Sequence, residues 1–139
     1  MKTKIFCDIA DYKTIKFFSN KPLVDGFTTN PSLMRLAGAQ NYKNYSLKIL
    51  KICKKKPISL EVFADNEKDM LKQAYEINSW GKNIYVKIPV VNSKGYFTGS
   101  IIKELSDKGI KLNITAVYTF EQTKKIYKKL NKKTKSIIS

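Results

Sequence analysis

The lysine of "NIYVKIPV" (residues 83–90) stands in an otherwise apolar run, where an unpaired ammonium is costly to bury. Burial disfavours the charged form of a lysine, and a neutral amine is a nucleophile that forms Schiff bases with carbonyls. The iminium is an electron sink, so a carbon–carbon bond beside it can break without a metal. Such chemistry needs a base for a hydroxyl proton and a shuttle for carbinolamine dehydration. Asp8 in "KIFCDIA" and Glu61 in "ISLEVFA" are the available carboxylates. Thr28 and Asn30 of "LVDGFTTN" and Thr115 of "KLNITAVYT" add hydroxyls and an amide.

Each of these residues also has a plainer reading. Asp8 and Glu61 could neutralise Lys87 in a buried ion pair, and Lys87 could guard a strand edge. Thr115 could serve only as a β-former, and Asn30 before Pro31 could open a turn. The shared facing of the set is what singles it out.

That facing follows from the elements. Strand patterns at 4–10, 23–30, 58–64, 83–90 and 111–119 alternate with helical patterns at 11–20, 41–54, 66–80, 98–109 and 119–130. Met70, Ala74 and Ile77 recur at helical spacing after Asp65 or Asn66 as a cap. Gly109 reads as a C-terminal cap, and Thr119 with Gln122 as a capping box. Strict alternation implies a parallel α/β sheet with crossover helices, either doubly wound or a (βα)8 barrel. The glycine-rich phosphate turn of many doubly wound sheets is missing from the sequence.

Successive side chains of a strand point to opposite faces. Ile84, Val86, Ile88 and Val90 therefore part from Tyr85, Lys87 and Pro89, and Ile58, Leu60 and Val62 part from Ser59, Glu61 and Phe63. Cys7 parts from Asp8, and Ile114 from Asn113 and Thr115. If the polar faces all turn inward, Asp8, Thr28, Asn30, Glu61, Lys87 and Thr115 meet in one cavity, toward the strands' C-terminal ends.

Composition bounds the rest. The 139 residues suffice for one domain with a core, expected over 1–139. The start "MKTKIFCDIADY" reaches an aspartate before any signal-peptide core, and no apolar run approaches membrane-spanning length, so a cytoplasmic protein without a membrane partner is expected. Cys7 and Cys53, without CxxC spacing, read as reduced core residues. The net charge of +16 raises nucleic acid as a partner, but of 27 basic residues only Arg35 is an arginine. Base readout and phosphate forks favour arginine. Runs such as "KICKKK" and "KKLNKKTK" are expected to be solvated, with no nucleic-acid partner, although a positive field attracts small anions such as sugar phosphates.

The blocks "DGFTTNPSL" (25–33), "ISLEVFADN" (58–66), "NIYVKIP" (83–89) and "GIKLNITAVYT" (109–119) resemble the small transaldolases and the related fructose-6-phosphate aldolases. The resemblance covers nearly the whole chain in order and implies a TIM barrel with a class I, cofactor-free aldol mechanism. By resemblance, Lys87 is the Schiff-base lysine and Asp8 the acid/base at the substrate C4 hydroxyl. Asn30 binds the dihydroxyacetone portion, with Thr28 assigned beside it, and Glu61 and Thr115 hold the catalytic water. Glutamate at position 61, where the aldolases tend to carry glutamine, tilts the reading to transaldolase over aldolase. Ile9 departs from the threonine the family commonly has there.

The implied reaction transfers a dihydroxyacetone unit, in the pentose phosphate pathway, from fructose 6-phosphate or sedoheptulose 7-phosphate to an aldose phosphate. A (βα)8 barrel commonly needs about 200 residues or more. This chain supplies five βα units and the start of a sixth strand in "KSIIS". The expectation is therefore an incomplete barrel: a fragment of a longer, homo-oligomeric protein, or an inactive or partner-dependent half-barrel.

Overall fold

Segments that alternate between period 2 and helical spacing fold as strands and helices in turn. The computed structural model describes residues 3–139. In chain order these form β1 (Phe6–Asp8), α1 (Tyr12–Ser19), β2 (Gly26–Thr28), α2 (Pro31–Leu36), α3 (Tyr42–Ile52) and β3 (Ile58–Glu61). They continue with α4 (Glu67–Ser79), β4 (Ile84–Pro89), α5 (Gly99–Asp107), β5 (Leu112–Thr115), α6 (Phe120–Tyr127) and β6 (Ser136–Ile138).

The hydrogen-bonded strand order is β1-β2-β3-β4-β5-β6. Pairing is parallel from β1 to β3 and from β4 to β6. The ladder runs on through Ile58 N–H to the Asn83 carbonyl at 3.0 Å and Val62 N–H to the Lys87 carbonyl at 3.1 Å. Each strand thus lies beside its successor in sequence. A doubly wound sheet reverses order at a switch point, whereas a (βα)8 barrel keeps this succession. The fold is an incomplete α/β barrel type.

The chain divides into two compact units, one up to Glu61 with Trp80–Ile84, the other Val62–Ser79 with Tyr85–Ser139. In the first, Ile15, Phe27, Met34, Ile49, Ile58, Leu60 and Ile84 are essentially removed from solvent. At β2, Gly26 stands opposite Phe6, and a side chain at Gly26 would collide with the Phe6 ring and Pro57. Glycine here is a packing requirement.

In the second unit Met70, Ala74 and Ile77 of α4 are buried, as their spacing predicts. Ile101, Ile102 and Leu105 of α5 are buried with Val86, Ile88, Leu112 and Ile114. Asn66 caps α4 by accepting from Asp69 N–H at 2.9 Å, while Asp65 accepts from Ser93 N–H and Oγ. Gly109 ends α5 with φ of +77°, a left-handed conformation that favours glycine. The capping box of Thr119 and Gln122 is formed.

Three expectations need adjusting. The strands are shorter than their patterns, at three to six residues each. Residues 31–36 form a helix where only a turn is predicted. Asn30 caps it and Pro31 occupies its first turn, a position in which the missing N–H costs nothing. The start of a sixth strand is a formed strand, paired with β5 from Ser136 to Ile138.

Candidate active site

In the first unit the register places Asp8 opposite Thr28, and Thr28 opposite Ser59. Paired residues of a parallel ladder share a face, so these three form one polar layer; Cys7, Phe27 and Ile58 form the layer beside it on the other face. Thr28 Oγ1 donates to Asp8 Oδ1 at 2.8 Å. Asp8 is exposed and Thr28 half-buried. The carboxylate is therefore oriented by a neutral hydroxyl while staying open to solvent, a geometry suited to exchanging protons.

Glu61 ends β3 half-buried. Its carbonyl accepts from the Tyr42 hydroxyl at 3.0 Å, which ties the strand end to α3. Burial pushes the Tyr42 phenol up from its ordinary value, so this hydroxyl stays a donor. Asn30 stands between β2 and α2. Its Oδ1 accepts from Leu33 N–H at 2.8 Å as the cap of α2. The other end of the amide, Nδ2, is a donor.

In the second unit Lys87 lies in the middle of β4, only 9% exposed. Val86, Ile88 and Val90, on the opposite face, are wholly buried. Lys87 stands opposite Asn113 in the parallel ladder, and Pro89 opposite Thr115. Lys87, Asn113 and Thr115 therefore share one face. Val90 N–H donates to the Thr115 carbonyl at 2.9 Å, which fixes the end of β5 against β4. Ala116, next in the chain, has φ of +60°, an uncommon and strained conformation for a residue with a side chain.

Two polar residues on these faces were not singled out beforehand. Asn113 is 1% exposed, and its Oδ1 accepts from Ser139 Oγ at 2.9 Å. Ser59 is likewise 1% exposed. The alternation read from sequence does place each on a polar face, but their depth depends on the strands around them.

No group of three His, Cys, Asp or Glu side chains stands together as metal ligands among the described residues. Cys7 is half-buried and Cys53 buried, both as free thiols. No helix among the described residues is long and apolar enough to cross a membrane.

The arrangement can be set against known proteins. The family model for transaldolase/fructose-6-phosphate aldolase matches residues 5–139. A probable transaldolase of Dehalococcoides mccartyi is 35% identical over 119 residues, which are 86% of this chain and 53% of that protein. Probable transaldolases of Lactiplantibacillus plantarum and Methanococcus vannielii are each 38% identical, over 86% of this chain and 52% and 53% of their own lengths. The chain spans about half the length of the curated relatives it matches. With the family match running over nearly all of its residues, the chain belongs to the transaldolase/fructose-6-phosphate aldolase family.

Proposed function

We propose that the protein to which this sequence belongs is a transaldolase, and that Lys87 is its Schiff-base nucleophile. The observation that carries the reading is the near-complete burial of Lys87, inside a chain of this family. Lys87 Nζ adds to the C2 carbonyl of a ketose phosphate such as fructose 6-phosphate or sedoheptulose 7-phosphate, and loss of water leaves an iminium. Asp8 takes the proton of the C4 hydroxyl, the C3–C4 bond breaks, and an aldose phosphate leaves. The electron pair of that bond rests in a three-carbon enamine on Lys87. The enamine adds to the aldehyde of a second aldose phosphate, Asp8 returns the proton, and hydrolysis frees Lys87.

Glu61 and Thr115 hold the water consumed and released in these steps, and Asn30 and Thr28 bind the dihydroxyacetone portion. The carboxylate at position 61 favours transfer over simple aldol cleavage. The reaction belongs to sugar-phosphate metabolism in the cytoplasm, specifically the pentose phosphate pathway. The full-length protein is a homo-oligomer in this reading.

The test is borohydride reduction of the chain in the presence of fructose 6-phosphate, followed by intact-protein mass measurement. A three- or six-carbon adduct that disappears in Lys87→Met supports the assignment. An adduct that persists in Lys87→Met, or no adduct with any ketose phosphate, overturns it. Adding an acceptor aldose phosphate separates transfer from cleavage, since only transfer yields a new ketose.

A further inference from the structure

The first unit carries a cavity of about 660 Å³ that the reaction above does not use. Its lining includes Leu47, Leu50 and Trp80 together with Lys51, Lys54 and Lys82. It lies where the C-terminal end of α3 meets the residues that lead into β4. Glu61 is at the opposite, C-terminal end of β3.

Its walls are held in place. Asn83 Nδ2 donates to the carbonyls of Cys53 and Lys56, each at 2.8 Å, joining the two loops. The cavity's volume falls in the range of small-ligand sites, roughly 300–1,000 Å³. No carboxylate is among its lining residues, while all three lysines are exposed.

Trp80 brings a broad aromatic surface to the same lining as those lysines. Its Nε1–H is the one buried side-chain donor without a partner among the described residues. The ring itself lies beside Tyr42, with centroids 6.2 Å apart, and the Lys43 ammonium stands 5.9 Å from its centroid. A lining that combines apolar and aromatic side chains with three lysines suits a ligand that joins a planar ring to an anionic group.

We propose that this cavity binds a nucleotide-like anion, with the planar ring against Trp80 and the phosphate among Lys51, Lys54 and Lys82. The proposal does not depend on Schiff-base chemistry at Lys87. The chain's single tryptophan is the one in the cavity, so its fluorescence reports occupancy directly.

The experiment is a fluorescence titration with adenosine 5′-monophosphate, repeated with adenosine and with inorganic phosphate. Saturable change with the monophosphate, weakened about tenfold or more for either half alone, is the expected result, since charge-assisted contacts and ring contact act together. The variant Lys51→Glu/Lys54→Glu/Lys82→Glu should weaken binding at least about tenfold. The charge-matched Lys128→Glu/Lys132→Glu/Lys133→Glu should bind as the parent does. A salt titration of the unmodified chain gives an independent readout, with affinity falling as ionic strength rises.

No saturable change, salt-insensitive binding, or equal loss in both triple variants overturns the proposal; the last result assigns the effect to net charge. Phosphate alone binding as well as the monophosphate overturns the role of the ring. Displacement by an acidic peptide at lower concentration than the monophosphate would overturn it in favour of a protein partner.

Discussion

Thr28 Oγ1 donates a 2.8 Å hydrogen bond to Asp8 Oδ1 across neighbouring parallel strands. The two residues are twenty apart in sequence and directly opposite in register. A hydroxyl on one strand thereby sets the direction in which a carboxylate on the next presents its second oxygen.

Replacing Thr28 by valine keeps the shape of the side chain and removes the donor. The net worth of such a bond is about 1 kcal/mol, and less where the pair is open to solvent. Thr28→Val should therefore melt close to the parent but lose about tenfold in the rate of ketose trapping, through misorientation of Asp8. A parent-like trapping rate would remove Thr28 from the site.

Lys87 admits a chemical discrimination by type. Lys87→Arg keeps a cation, yet a guanidinium does not deprotonate to a nucleophile. Trapping should be lost in Lys87→Arg as completely as in Lys87→Met, with the fold retained in at least the methionine variant by circular dichroism. Trapping by the arginine variant would rule out a nucleophilic role.

Cys53 offers a pH-dependent prediction. Burial pushes its thiol from 9.0 up to about 12, with Lys56 opposing the shift in small part. The folded state therefore holds the proton more tightly than the unfolded chain. Its contribution to stability is fully present below about pH 9 and is lost as pH rises toward about 12. Urea midpoints should fall over that window more steeply for the parent than for Cys53→Ala. At about pH 8, iodoacetamide should modify half-buried Cys7 well before Cys53, because reactivity follows thiolate and access.

The capping box of α6 is a local test of the fold. Thr119 Oγ1 accepts from Gln122 N–H at 3.1 Å, and Gln122 Oε1 accepts from Thr119 and Tyr118 N–H at 3.1 and 2.8 Å. Thr119→Ala should cost about 1 kcal/mol by denaturant unfolding. Thr119→Ser should recover most of it, since the hydroxyl is what accepts.

Sequence alone determined what depends on residues a few positions apart. The α/β alternation, the buried stripes of α4 and α5, the Gly109 cap, the Thr119–Gln122 box and the polar face carrying Lys87 are all set by local period and capping chemistry. The six-residue helix from Pro31 was illegible because it is too short to show a period. Its signal, Asn-Pro, serves a turn and a helix start alike.

Tertiary structure decided what depends on register between strands twenty or more residues apart. Asp8 meets the Thr28 hydroxyl, and Asn113 lies beside Lys87, only because the crossover helices set each strand's offset against its neighbour. The same holds for Lys51 and Lys54, which line one cavity with Trp80. Charge and alternation are properties of the chain, whereas which groups face one another is a property of the packed ladder.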